Sequence, residues 1–283
     1  MTAGLLAVHA HADDETITMG GTLAHYAARG IRTANVCCTD GRLASIVDPT
    51  MVEEEVRPRL AEVRHAELEA ACSILGVGEV HWLGYHDSGM EGTESNRDPE
   101  SFWMTPLDGV VQRLVGIIRE FRPDVVVTYD AHGAYGHPDH VQAHRATLLA
   151  VEAAQHPRVY PQVGTPWRVS KLYYTAFARS SVVRIIELAR LAGMESPFGE
   201  DPEAVEFGMP DELITARIDC RDVLELKRRA LVAHRSQISD DFPLMRMPAQ
   251  VIRDHFPTEH YSLALSHVPV HPPEDDLFAG IAG

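Results

Sequence analysis

Two short clusters in this chain hold enough histidine and carboxylate to do chemistry together. His9-Ala10-His11-Ala12-Asp13-Asp14-Glu15 follows an apolar run near the N-terminus, and His137-Pro138-Asp139-His140 opens an amphipathic stretch far downstream. A set of His, His and carboxylate can hold one divalent cation while leaving positions for water and a substrate, which is the pattern of catalytic zinc. Each cluster also has a plainer reading. Acidic residues at 13–15 interact well with the positive end of a helix dipole, and His137 and His140 could cap the helix that they open. Chemistry requires that the fold bring the two clusters to one place.

The surrounding pattern predicts that it does. Short apolar runs alternate with amphipathic stretches, the signature of an α/β fold with a mainly parallel central sheet and crossover helices. Strands are expected at 4–10, 33–39, 79–84, 124–129 and 171–176. Helices are expected at 16–29, 53–75 with a break near Pro58, 107–121, 140–154 and 221–234. Ligands of open α/β sheets collect at the carboxyl ends of strands, and each cluster follows a strand. One domain is expected to take in the whole chain: a Rossmann-like core over 1–176, then a segment over 177–283 around the mouth of the site. Pro, Gly and acidic residues at 196–210 predict an exposed excursion.

Composition excludes some function classes. With 41 acidic against 25 basic side chains the formal charge is −16, which argues against a nucleic-acid partner and against a polybasic membrane anchor. No apolar stretch is long enough to span a bilayer. The start MTAGLLAVHAHADDE has no basic region ahead of its apolar run, unlike a signal peptide, so the cytoplasm is the expected location. The four cysteines form no C-x-x-C pair and read as buried free thiols. Assembly into homo-oligomers stays open, because no edge strand or apolar face is identifiable from the pattern.

HADDE together with GAYGHPDHVQAH resembles the LmbE-like (PIG-L) family of zinc-dependent N-deacetylases. VHAHADDETITMGGTLAHYAARG, LGYHDSGMEGT and VVVTYDAHGAYGHPDH are most similar to the branch holding the mycothiol-biosynthesis deacetylase and mycothiol S-conjugate amidase. WRVSKLYY, AHRSQI and PPEDDLFAGI extend the likeness over nearly the whole chain. The resemblance implies a Rossmann-like three-layer fold, with His11, Asp14 and His140 as ligands of Zn2+; Fe2+ also suits such a set. It implies that Asp13 is the general base, that His137 stabilises or protonates the collapsing intermediate, and that Asp139 orients that imidazole. Tyr135 matches a mobile tyrosine on the oxyanion side, and Arg64 and Asp87 match positions that hold the sugar or its neighbour. The implied substrate is a small amino-sugar amide such as N-acetylglucosaminyl-inositol; the alternatives are a mycothiol S-conjugate or a secondary metabolite.

Read as residues alone, Arg64 also fits a solvated helix face and Asp87 a turn. His9 fits the core or a supporting position, and His144 a supporting or solvated one. The chain departs from the family at three places. Ala12 stands where H-P-D-D-E has proline, a change expected to loosen the loop. Thr39-Asp40-Gly41-Arg42 replaces a G-E-x-G-like turn, and Ala131-His132-Gly133-Ala134 replaces E/P-N-G-G. The last two are expected at the pocket mouth, where they bear on the substrate rather than on the reaction class.

Overall fold

In the computed structural model, which describes residues 2–281 apart from 192, 194 and 197, the apolar runs become strands close to their expected bounds. These are β1 (Gly4–His9), β2 (Arg32–Thr39), β3 (Glu79–Tyr85), β4 (Val125–Thr128) and β5 (Lys171–Ala176); two further strands are β6 (Ala216–Asp219) and β7 (Thr258–Ser266). All seven join one sheet in the order β3-β2-β1-β4-β5-β7-β6. The first five pair in parallel. β7 runs antiparallel to β5, and β6 antiparallel to β7.

Helices cover both faces, as nearly continuous apolar strands require. On one face α1 (Asp14–Ala28), α2 (Leu60–Leu75) and the later α6 (Leu224–Ala233) pack on Leu5, Ala7 and Val127. On the other, α3 (Leu107–Phe121) and α4 (Pro138–Ala154) cover Leu6, Val8 and Val126. The stretch ahead of α2 breaks at Pro58, with a helical turn at Glu53–Val56, a 3-10 turn at Arg57–Arg59 and the long helix from Leu60. Among the described residues, no helix is long and apolar enough to cross a membrane.

From β1 the chain builds outward to β2 and β3, then crosses back to lay β4 on the other side of β1. The order therefore reverses between β1 and β4, and their carboxyl ends flank the crevice where such sheets bind ligands. Both His–Asp clusters leave the sheet there.

The C-terminal part departs from expectation. β6, β7 and α5 (Arg179–Leu191) lie where no regular element is expected. α5 had a local signal, since Val182 and Ile186 are one turn apart and both are buried. β7 alternates buried and half-exposed positions only over Thr258–Ser262, and its pairing partners lie about forty to ninety residues upstream in sequence.

A buried ion pair fastens this addition to the parallel sheet. Lys171 Nζ on β5 donates to Glu274 Oε2 at 2.8 Å, and the Tyr173 hydroxyl donates to the same oxygen at 2.8 Å. The backbone of Glu274 meanwhile bonds Thr215 and Arg217 beside β6. Removing one partner of such a pair leaves a lone buried charge, so Glu274→Gln is expected to cost about 3–5 kcal/mol in a denaturant titration. Burial alone would raise the Glu274 carboxyl, but the Lys171 and Tyr173 bonds outweigh it and hold it below the usual glutamate range. Its contribution is thus full above the unfolded-state pKa and fades as pH falls through the lowered one. The gap between wild type and variant should narrow in acid; a gap that widens there would contradict the pairing.

Candidate active site

The turn leaving β1 places His11 and Asp14 opposite His140 in the first turn of α4. His11 Nδ1 lies 3.2 Å from His140 Nε2. Asp14 Oδ2 lies 3.4 Å from each of those nitrogens. Donors bound tetrahedrally at about 2.0–2.2 Å from one ion sit roughly 3.4 Å apart, so this triangle has the dimensions of one face of a metal site. The donors of His11, His137 and His140 also come within 4.8 Å of one another, as do those of His11, Asp87, His137 and Asp139.

Each corner of the triangle is oriented from behind. Gly133 O accepts from His140 Nδ1 at 3.2 Å, which leaves Nε2 with its lone pair toward Asp14. Asp139 Oδ2 accepts from His11 Nε2 at 3.2 Å, leaving His11 Nδ1 free. Asp14 Oδ2 receives the Tyr129 hydroxyl at 2.6 Å and the His11 N–H at 2.9 Å. Gly133 has φ +65°, and a Cβ there would lie 2.8 Å from the Cβ of His140. Only glycine brings its carbonyl so close to that ring.

The structure corrects the role expected for Asp139. Its carboxylate does not reach His137; it holds His11 and is itself held by the hydroxyl and N–H of Ser88. What meets His137 is the Asp139 backbone N–H, which donates to Nδ1 at 3.1 Å. His137 is the N-cap of α4, so its ring must turn back over the first turn to accept that bond. Its Nε2–H is then free to donate. Burial, helped by His11 and His140, pushes the His137 pKa down to about 3, so the ring is a neutral donor at physiological pH.

Asp13 sits beside the triangle with φ +127°, a left-handed region that non-glycine residues rarely occupy. It stands at the N-cap position of α1, yet its side chain caps nothing. Its N–H donates to Glu15 Oε2 at 3.0 Å, while its carbonyl accepts from Thr16 and Ile17. Glu15 is held in turn by the fully buried His234 at 2.8 Å. Burial pushes the Asp13 carboxyl up to about 6 against the pull of Arg64, whose guanidinium lies 3.5 Å away. The Glu15–His234 support was missing from the expectations above. AHRSQI figured there only as a family likeness, and 219 residues separate the partners.

Arg64 is 2% exposed, which overturns the solvated-face reading. Its guanidinium donates to Ala12 O at 2.6 Å and Gly41 O at 3.1 Å, tying the first two pocket loops together. Ala12 is buried, and its carbonyl is held by Arg64. Asp87 also joins loops. It accepts from Gly89 and Leu43 N–H groups while lining the cavity 3.8 Å from His11. Asp40 Oδ1 accepts from the N–H groups of Arg42 and Asp87. Tyr135, 48% exposed, holds its ring 5.0 Å from that of His140 at the mouth. His9 is buried, with its ring nitrogens near Asn35 and Thr18. His144 donates to the carbonyl of Tyr129 and so supports the Asp14 contact.

The local charge calls for a cation. Asp14, Asp87 and Asp139 lie within 3.2–3.8 Å of His11, and Asp13 lies 3.5 Å from the Arg64 guanidinium. The donor set, its spacing and this charge fit a divalent ion. From here a cavity of about 750 Å³ extends past Ile17 to α5 and β7.

A mainly parallel sheet with a His–Asp donor cluster at its switch point defines the class, a Rossmann-like fold whose strand-end cluster could hold a metal ion. The chain belongs to the PIG-L family, described as GlcNAc-PI de-N-acetylase, which matches residues 6–151 and so takes in both clusters; it is an amide hydrolase of that deacetylase family. It is 41% identical over 288 residues to a 1D-myo-inositol 2-acetamido-2-deoxy-alpha-D-glucopyranoside deacetylase of Geodermatophilus obscurus, covering 99% of this chain and 98% of that one. It is 39% identical to a mycothiol S-conjugate amidase of Streptomyces coelicolor, over 98% of this chain and 97% of the relative. The fold matches N,N'-diacetylchitobiose deacetylase from Pyrococcus horikoshii with a TM-score of 0.63 at 22% identity, covering 93% and 84% of the two chains.

Proposed function

We propose that this chain removes an N-acyl group, foremost N-acetyl, from a small amino-sugar amide of the N-acetylglucosaminyl-inositol type, with Zn2+ held by His11, Asp14 and His140. The triangle of those three donors with Asp13 beside it carries this reading. Zinc bound there supplies Lewis acidity, polarising the amide carbonyl and lowering the pKa of water to about 7. Asp13, a carboxylate beside the donor triangle whose side chain caps no helix, takes the proton of the attacking water. His137 offers its Nε2–H to the oxygen that gains charge, and Tyr135 closes from the mouth; one such donor is typically worth about 3 kcal/mol. The proton on Asp13 then passes to the departing amine, because neutral His137 has none to give without becoming an anion. Arg64 and Asp87 shape the sugar end of the cavity, and the whole chain acts as one catalytic domain.

Asp139 is a positioning residue through His11. Asp139→Ala is expected to weaken zinc binding roughly 10–100-fold in a chelator competition, and unchanged affinity would remove that role. The function is tested by the primary amine released from N-acetylglucosaminyl-inositol by apo and zinc-loaded enzyme, with a mycothiol S-conjugate in parallel. The second substrate is included because the amidase relative is nearly as similar as the deacetylase. Zinc-dependent release from the first supports deacetylation, and preference for the second shifts the assignment to the amidase. Release from neither would defeat this substrate assignment.

A further inference from the structure

The part of the cavity remote from the His–Asp cluster is built for something that an amino sugar does not carry. Phe198 and Phe207 stack there at 5.2 Å, Phe177 lies 5.8 Å from Phe207, and Ile185 and Leu244 complete the walls. Of the charged side chains that line this part of the cavity, Lys227 and Glu259 pair with each other and Arg228 donates to Met245 O at 3.5 Å. Lys227 donates to Glu259 at 2.6 Å and to Ile17 O at 2.9 Å, and Glu259 also receives the Gly21 and Thr22 N–H groups. The chamber is continuous with the reacting centre, since Ile17 lines it and bonds the carbonyl of Asp13. A sugar and its inositol seated at the Arg64 and Asp87 end would leave these aromatic walls uncovered against water.

We infer that the substrate carries an apolar alkyl or aryl group that fills this chamber, attached within reach of the scissile amide. The inference rests on the deacetylase reading and sharpens its substrate class. The group is either the N-acyl chain itself or the aglycone of the amino sugar, and both present the same chemistry to the walls.

Two substrate series with zinc-loaded enzyme test it. One extends the aglycone of N-acetylglucosaminides from methyl to butyl to octyl. The other extends the acyl group of methyl glucosaminide from acetyl to butanoyl to octanoyl. kcat/KM is expected to climb roughly two- to fourfold per methylene in one series, which names the source of the group. Ile185→Glu and Leu244→Glu, at half-buried lining positions, are each expected to flatten that climb, with melting temperature and zinc content checking that the fold is kept. Two series flat within about twofold would overturn the inference. Should no member be hydrolysed, the deacetylase reading fails by itself, and calorimetry with the free amines decides the chamber. Tighter binding of octyl than of methyl glucosaminide upholds it, and equal binding overturns it.

Discussion

Asp13→Asn is expected to lower kcat about 10²–10⁴-fold, the usual range for losing a general base, while the protein still binds one zinc per chain. Structure and metal should both survive. The Asp13 carboxylate caps no helix, and its backbone contacts with Glu15, Thr16 and Ile17 need no side chain. Arg64 loses one neighbour yet keeps Ala12 O and Gly41 O. Asparagine is also among the few side chains that tolerate positive φ, so the strained turn is not further burdened. Asp13→Ala should show the same loss, and KM should change little. Steady-state kinetics with metal analysis on the same sample checks this. Turnover within tenfold of wild type would remove Asp13 from the mechanism, whereas loss of zinc would move it into the ligand set.

His140→Ala should fail in the opposite way. Its Nε2 is one corner of a triangle of 3.2–3.4 Å, and removing it leaves two donors where three converged. Zinc should be lost on gel filtration. Activity should fall at least about 10³-fold, because the attacking water then keeps a pKa near 15.7 rather than about 7. Among the described residues the ring otherwise bonds Gly133 O and stacks on Tyr129 at 4.2 Å, and it lies outside the sheet ladder. Chelation of the wild-type enzyme should reproduce the loss, and added zinc should restore the wild type but not the variant. A variant that keeps stoichiometric zinc would break the assignment of His140. Together the two variants separate a base from a ligand, which no single activity assay can do.

Elements with a local signal were legible. β1 to β5 are apolar runs with turn residues after them, and α3 spans Leu107–Phe121 as its periodicity predicts. β6 and β7 were not legible, because an antiparallel addition is specified by partners elsewhere in the chain rather than by a strong pattern of its own. Within the site the residue types were readable but their pairings were not. Asp139 stands two residues from His137 in sequence yet contacts His11, because the first turn of a helix directs successive side chains to different sides. Arg64 has charged neighbours on its helix, as solvated residues do, yet it is buried under loops from two other strands.

The sequence by itself determined which groups are present and roughly where they leave the sheet. HAHADDE after one strand and HPDH after another, in an α/β pattern, already imply a shared crevice. Tertiary structure decided which groups meet and how each is held. The reversal of strand order between β1 and β4 brings His140 to within 3.2 Å of His11 across 129 residues. Burial raises Asp13 toward neutrality and keeps His137 neutral. The folding of the C-terminal strands beside β5 adds the apolar chamber. Periodicity is a property of a short window, whereas a buried side chain's partner and its protonation depend on every loop packed around it.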